Sequence, residues 1–189
     1  MANATVKDAT PQRWNDVATV MGLKGDPARC WCQFFRETNA EARTSTIESR
    51  RASLQAQLDG GPPPGVLVYD GTGVPVGWCA VAPRADYARL ARAVVAAATA
   101  DEDGLWAITC FVVRVGFRRQ GRSGQLLDGA VDLAHRHGAR IVEAYPVDVG
   151  VRSPSNAELY HGPFHLFRRA GFSEVARPKP DRPVMRLVL

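Results

Sequence analysis

The sequence predicts an α/β fold around a mixed sheet, because helix-like segments, a β-hairpin and then alternating strands and helices follow one another along the chain. Two segments rich in β-branched and aromatic residues, WAITCFVV at 106–113 and RIVEAYPVD at 140–148, enclose a segment with helical spacing. No internal repeat or linker divides the 189 residues. We therefore expect one domain over residues 1–189.

Helical spacing, helix-like composition and the start and stop signals of the sequence predict four helices. The first follows Thr10-Pro11 and ends before Gly22, the second is the polar run at 49–59, and the fourth is PFHLFRRAGF at 163–172. The third spans 125–137, and its predicted buried stripe comprises Leu126, Leu127, Ala130, Val131 and Ala134.

Strand signals account for most of the remaining chain. GVLVYD and VPVGWCAVAP, separated by a glycine-containing turn at 71–73, predict a hairpin, and SEVARP and VMRLVL predict two short strands at the end. The Ala- and Arg-rich interval 83–104 does not distinguish a helix from a loop.

Composition excludes several classes of protein. With 46% hydrophobic and 23% charged residues the chain is not wholly disordered, and no apolar run reaches the roughly 18–20 residues of a membrane span. The N-terminal segment has no basic stretch followed by an apolar one, so we expect a cytoplasmic protein without a membrane partner. The net charge of +5 leaves a nucleic-acid binder as a rival, but the chain shows no signature of such a fold and we expect no nucleic-acid partner.

The four cysteines are Cys30, Cys32, Cys79 and Cys110, and they form no CxxC pair. Without a secretory signal we expect them to be free thiols. Cys30-Trp31-Cys32 has two interpretations, a pair of zinc ligands or a buried aromatic corner. The spacing is shorter than that of zinc knuckles and lacks a second pair, so we expect no metal.

The loop between the strand and the third helix carries the clearest functional signal. It reads Arg118-Arg119-Gln120-Gly121-Arg122-Ser123-Gly124 and opens a helix, whose first amides and dipole attract anions. Small residues let a phosphate approach the backbone. The lysine and hydroxyl residue of a Walker loop are absent, as is GxGxxG. An arginine-rich surface turn is the alternative.

This passage resembles the cofactor-binding core of the GNAT family of acyl-CoA N-acyltransferases. The family motif is Arg or Gln, two residues, Gly, one residue, then Gly or Ala, and Arg118, Gly121 and Ser123 occupy those places, with serine as a small departure. The resemblance extends from about Val66 to the end, including the hairpin and YHGPFHLFRRAGF at 160–172. It implies a mostly antiparallel sheet with splayed strands and flanking helices.

The resemblance also implies acetyl-CoA as acyl donor. The pyrophosphate would lie on the amides of Gln120 to Gly124, flanked by Arg118 and Arg119, and the pantetheine would pair with Phe111 to Val113. The backbone N–H of Val112 or Val113 would stabilise the oxyanion. Two strands, WAITCFVV and RIVEAYPVD, would splay apart to admit the thioester.

Glu143 is the candidate general base. Strand alternation places Ile141, Glu143 and Tyr145 on one face, and apolar neighbours would make this carboxylate a better proton acceptor. The alternative is that Glu143 faces solvent or pairs with an arginine.

The general acid of many family members is a tyrosine, but the corresponding place here is Phe167. Tyr160 is therefore the candidate acid, with water, His161 and His165 as alternatives, and a purely structural Tyr160 also remains open.

We expect a direct-transfer N-acetyltransferase, with a non-catalytic acyl-CoA-binding module as the alternative. The acceptor is a small-molecule amine or a protein amino group, and the protein is a monomer or homodimer. The aromatic residues Trp31, Phe34, Phe35 and Trp78 either line an acceptor pocket or belong to the core.

Overall fold

Seven strands form a single sheet in the computed structural model, which describes residues 4–90, 93, 103–155 and 158–189. The spatial order is β1-β2-β3-β4-β5-β7-β6, and every neighbouring pair is antiparallel except β4 and β5. The strands are β1 (Thr5–Asp8), β2 (Gly65–Tyr69), β3 (Pro75–Pro83), β4 (Leu105–Val113), β5 (Ile141–Ala144), β6 (Ser173–Lys179) and β7 (Arg182–Val188).

Helices cover both faces of this sheet. They are α1 (Trp14–Met21), α2 (Gly25–Cys30), α3 (Glu41–Thr44), α4 (Ile47–Asp59), α5 (Arg122–Arg136) and α6 (Phe164–Arg169). Short 3-10 turns lie at Pro11–Arg13, Arg84–Asp86 and Glu158–His161. Within the described ranges, no helix is both long and apolar enough to cross a bilayer.

Strand alternation divides the core into two layers. On the face we call the α5 face, Ile108 and Phe111 of β4 pack with Leu126 of α5 and Phe167 of α6. On the opposite face, the α1 face, β-strand side chains including Trp78 pack against α1 and α4. The sheet therefore has a cofactor-loop helix on one side and the N-terminal helices on the other.

The mixed, mostly antiparallel sheet with flanking helices confirms the predicted fold class. The hairpin is present as β2 and β3, and the four predicted helices correspond to α1, α4, α5 and α6. Part of the undecided interval forms the 3-10 turn at Arg84–Asp86, whereas 91–92 and 94–102 lie outside the described residues.

Several details differ from the sequence expectations, and the short helices α2 and α3 were not predicted. Val131 is only partly buried, while Leu133, absent from the predicted stripe, is fully buried. The first strand, β1, was not predicted, and it pairs with β2. Val6 of β1 packs closely on α5, since a Cβ added at Gly129 would lie 2.4 Å from Val6 Cγ1. The strand predicted at 140–148 ends at Ala144, which matters for the site described next.

Candidate active site

Strands β4 and β5 separate halfway along β4. Their parallel pairing runs from Leu105–Ile141 to Ile108–Ala144 and then stops, while β4 continues to Val113. The chain after β5 turns towards the segment preceding α6, where Val147 forms a bridge with Pro163. The predicted splaying of these two strands is therefore present, and it opens one edge of β4 beyond Ile108.

Hydrogen bonding along β4 decides which backbone groups face this gap. The amide of Arg114 donates to the carbonyl of Val76 on β3 at 2.9 Å. Along a strand of an antiparallel pair, the backbone N–H and C=O groups of successive residues point alternately towards the partner strand and away from it. Val112, two residues earlier, thus faces β3, and Phe111 and Val113 face the gap. The carbonyl of Val113 there accepts a bond from Arg118 Nε at 3.0 Å. Of the two candidate oxyanion donors, the geometry favours Val113.

The loop that leads into α5 has the backbone of an anion cradle. Arg119 and Gly121 both adopt left-handed conformations, with φ of 60° and 76°, and Gly121 is the N-cap of α5. No side chain caps this helix end and its first turn holds no acidic residue. A Cβ built on Gly121 or Gly124 meets no other atom within 4 Å, so the space beside the first amides is open.

The side chains of this loop suit an anion as well. Arg122 Nε is buried and has no hydrogen-bond partner in the described part of the chain, although Arg122 Nη1 donates to Gln125 at 3.1 Å. An orphaned guanidinium nitrogen at an uncapped helix N-terminus fits the phosphate groups of acyl-CoA. The predicted loop residues thus lie together at the end of the open strand edge.

Glu143 lies on the α1 face and is completely buried. Its carboxylate accepts a bond from Arg186 Nε at 2.7 Å, lies 3.4 Å from Arg84 Nε, and accepts a short bond from the Tyr145 hydroxyl. Glu143 and Arg186 are direct cross-strand neighbours of β5 and β7. The structure therefore pairs the Glu143 carboxylate with arginines, which is the alternative to apolar surroundings. Glu143 and Tyr145 lie on the same face, as predicted.

The 3-10 turn Glu158–His161 carries the other candidate groups. Burial raises the pKa of Tyr160 to about 12, with Cys110 of β4 and Cys30 as the next contributors. The Tyr160 ring packs against His161, with 4.2 Å between the ring centroids. Burial also lowers the pKa of His161 to about 3, and His161 Nδ1 is buried without a partner among the described residues. His165 is exposed, and Phe167 is fully buried between Phe111 and Phe172.

The aromatic residues considered for an acceptor pocket separate into two groups. Trp31 and Trp78 are buried in the core of the α1 face. Phe35 lies against His161, and Phe34 is 47% exposed with Arg89 stacked over its ring. Phe35 therefore borders the turn that carries Tyr160, and Phe34 packs edge-on against Phe35.

Arg84 and Arg186 were not identified from the sequence, and the left-handed backbone of Arg119, itself a predicted cofactor-loop residue, was not foreseen. The partners of Glu143 come from β7 and the turn after β3, and their contacts depend on strand register, which single-sequence patterns do not reveal. No group of three potential metal ligands occurs within the described ranges.

Comparisons with known proteins agree with this geometry. Residues 31–162 match the Acetyltransferase (GNAT) family, and no curated protein matches the chain. A ribosomal-protein-alanine N-acetyltransferase from Brucella melitensis is 17% identical with a TM-score of 0.57, covering 98% of this chain and 99% of that one. An N-acetyltransferase from Staphylococcus aureus Mu50 is 14% identical with a TM-score of 0.55, covering 98% of both chains.

A third protein, from Salmonella typhimurium, was solved with its cofactor acetyl-CoA; it is 18% identical with a TM-score of 0.55, covering 98% of this chain and 94% of that one. At these identities the solved structures show a shared fold. The family match covers most of the chain, including β4, the arginine-rich loop and α5. The chain therefore belongs to the GNAT family of acetyltransferases.

Proposed function

We propose that this protein is an N-acetyltransferase that moves the acetyl group of acetyl-CoA directly to an amine. The observation that carries the proposal is the uncapped N-terminus of α5, which follows the open edge of β4. Arg122 Nε in its first turn has no hydrogen-bond partner in the described part of the chain. The Salmonella typhimurium protein of the same fold has acetyl-CoA as its cofactor, which supports the same donor here.

In this proposal the loop residues hold the pyrophosphate and the strand edge holds the pantetheine. The outward groups of Phe111 and Val113 pair with the pantetheine amides as an added strand would. One of these positions, the Val113 carbonyl, accepts a hydrogen bond from Arg118 Nε in the structure. We therefore expect Arg118 to release Val113 when the donor binds, which frees its guanidinium for the phosphates.

The transfer needs a donor for the oxyanion, an acid for the thiolate and a base for the amine. We assign the first to the amide of Val113. Tyr160, with a pKa of about 12, keeps its proton at neutral pH and is the proposed acid. Glu143 is the proposed base; because it is completely buried and accepts a hydrogen bond from the Tyr145 hydroxyl, that hydroxyl would take the proton of the amine and pass its own to Glu143.

The proposed acceptor is a small-molecule amine or a protein amino group. We propose no nucleic-acid or membrane partner, a monomeric or homodimeric state and a cytoplasmic location. In this proposal the half-buried Phe35, which lies against His161, and the exposed Phe34 beside it supply apolar surface for the acceptor.

The test is amine-dependent release of CoA, measured with a thiol reagent over a panel of small amines and peptide N-termini. We expect at least one amine to accelerate release, and we expect Tyr160→Phe to slow it while leaving acetyl-CoA affinity unchanged. Tight binding of acetyl-CoA without any amine-dependent release would instead support the acyl-CoA-binding module.

A further inference from the structure

Two arginines and two carboxylates form a charge-balanced cluster at the 3-10 turn that carries Tyr160. They come from the loop after β5, from the turn itself and from the junction of β6 and β7. We call this set the arginine–carboxylate cluster; its members are Arg152, Glu158, Asp181 and Arg182. None of the four takes part in the transfer steps proposed above.

Glu158 is the centre of the arginine–carboxylate cluster. Its two carboxylate oxygens accept a bidentate pair of bonds from Arg152, and Oε1 also accepts a bond from Arg182 Nη2 at 3.0 Å. Oε2 further accepts the backbone amide of Ser155 at 2.9 Å and the Ser155 hydroxyl at 3.0 Å. Charge-assisted, bidentate bonds are among the strongest hydrogen bonds in proteins. One carboxylate therefore ties the first residue of the turn to the loop before it and to β7.

Asp181 anchors the same two arginines to the sheet. Arg152 Nε donates to Asp181 Oδ2 at 2.8 Å, and Arg182 Nε lies 3.6 Å from the same oxygen. The carbonyl of Asp181 accepts a bond from the amide of Asp148 at 2.9 Å, which fixes this anchor to the chain after β5. The side chains of Asp181 and Arg182 are only 15% and 18% exposed. A network of partly buried charges holds its geometry better than an isolated surface pair.

The two ends of the 3-10 turn are attached by different means. At the C-terminal end, the carbonyl of Gly162 accepts a bond from the amide of Val147 at 3.0 Å. At the N-terminal end, the amide of Glu158 donates to the Ser155 carbonyl at 3.0 Å, and the Glu158 side chain makes the bond to β7. The turn packs against β4, and Tyr160 lies between its two attachments. The placement of Tyr160 therefore depends on both of them.

We propose that Glu158 is a positioning residue, which holds the 3-10 turn on β7 through the arginine–carboxylate cluster and thereby places the Tyr160 hydroxyl for proton transfer. The role of Tyr160 rests on the proposed function, whereas the hold of Glu158 on the turn does not. Replacing Glu158 by glutamine removes its ion pairs with both arginines. The backbone attachment at the C-terminal end of the turn stays in place.

Limited trypsin digestion of the folded protein tests this hold without any turnover. Arg152 is the one trypsin site between Arg140 and Arg168, and its side chain is bound in the cluster. We expect Glu158→Gln to form the fragment that begins at Ser153 about tenfold faster than the wild type. Cleavage follows the population of the open loop, which grows when the ion pairs of Glu158 are lost.

Glu174→Gln is the matched control. Glu174 pairs with Arg177 on β6, outside the arginine–carboxylate cluster, and its side chain is 32% exposed against 29% for Glu158. The same charge is lost in both variants. We expect Glu174→Gln to be cleaved after Arg152 at the wild-type rate.

Ultraviolet titration of the tyrosines reports on the position of Tyr160. Burial raises the pKa of Tyr160 and of Tyr87 to about 12, and it raises the pKa of Tyr69 and of Tyr145 further. The chain has four tyrosines, so the folded protein should form almost no tyrosinate near the usual tyrosine pKa of about 10. We expect Glu158→Gln to gain one tyrosinate there, because a released Tyr160 loses its burial. Adding Tyr160→Phe should remove that signal.

Turnover tests whether the hold on the turn serves Tyr160. With an active amine, Glu158→Gln should lower kcat about tenfold at unchanged KM for acetyl-CoA, a part of the roughly hundredfold or more that a general acid contributes. Glu158→Asp, which keeps the charge, should recover most of this loss. In a Tyr160→Phe background, Glu158→Gln should lower kcat no further, because the two residues act as a unit.

Several results would overturn the inference. Cleavage after Arg152 at the wild-type rate, or no tyrosinate gained near pH 10, would refute the hold of Glu158 on the turn. Additive losses of kcat from Glu158→Gln and Tyr160→Phe would refute the positioning role. If Glu158→Gln does not fold, Arg182→Gln, which removes one arginine partner of Glu158, replaces it in every arm.

Failure of the proposed function gives a different result. If no amine is turned over, or if Tyr160→Phe retains wild-type turnover, the proposed function or its acid is wrong and the role of Glu158 in proton transfer is refuted with it. The digestion and the titration still decide whether Glu158 holds the turn.

Discussion

Replacing Gly121 by glutamate tests whether the loop before α5 holds the pyrophosphate. Gly121 has φ of 76° and open space beside it, so the new side chain causes no clash within the protein. The left-handed conformation costs about 1–2 kcal/mol for a residue with a Cβ. The carboxylate would occupy the anion position between the arginines and the first amides of α5. Losing two charge-assisted hydrogen bonds, at roughly 1.5–3 kcal/mol each, weakens binding at least about a hundredfold.

The assay is calorimetric titration with acetyl-CoA and with desulfo-CoA, which share the pyrophosphate. Gly138→Glu is the matched control, because Gly138 has φ of 84°, equally open surroundings and a place just after the other end of α5. We expect the control to lose stability by a similar amount and to bind both ligands like the wild type. If Gly121→Glu binds as tightly as Gly138→Glu, the loop is an ordinary surface turn and the reasoning fails.

Three further outcomes are expected. Glu143→Gln should lower turnover while titrations show unchanged acetyl-CoA affinity. The variant also loses the buried ion pairs of Glu143, which should lower the free energy of unfolding in denaturant by about 3–5 kcal/mol. A variant with wild-type rates from pH 6 to 9 would remove Glu143 from the mechanism. Burial lowers the pKa of His161 from 6.5 to about 3 on folding, so between these pH values only the unfolded imidazole binds a proton. The free energy of unfolding should therefore drop as the pH falls from 6.5 to 5, by at most about 1.4 kcal/mol per pH unit. His161→Gln should flatten this dependence, and an equally steep variant would contradict it. Metal analysis of the purified protein should find no stoichiometric zinc, and a chelator should leave the circular dichroism spectrum unchanged. One metal ion per chain, lost together with secondary structure, would instead support Cys30 and Cys32 as zinc ligands.

Local patterns in the sequence predicted most of the fold. The hairpin, β4 and α5 each combine a long apolar pattern with a clear turn or stop, such as Gly138 after α5. In contrast, β1 is a four-residue edge strand with one large apolar residue, Val6, and its pairing with β2 defines it. Such a strand depends on tertiary contacts that no local pattern encodes.

The site was predictable to different degrees on its two sides. The loop from Arg118 to Gly124 is contiguous, so its small residues and helix start could be identified directly. The surroundings of Glu143 could not, because Arg186 reaches it through the register of β5 and β7 and Arg84 through the turn after β3. Apolar neighbours in sequence were therefore a poor guide to its partners in space.

A single-turnover experiment with acetyl-labelled acetyl-CoA and excess protein tests the central claim most directly. After mixing with an active amine, we expect the label to pass to the amine at the rate at which CoA is released. Without the amine, the label should stay on CoA and none should remain on the denatured, desalted protein. Label retained on the protein would contradict direct transfer, and label that never leaves CoA with any amine of the panel would contradict acetyl transfer itself.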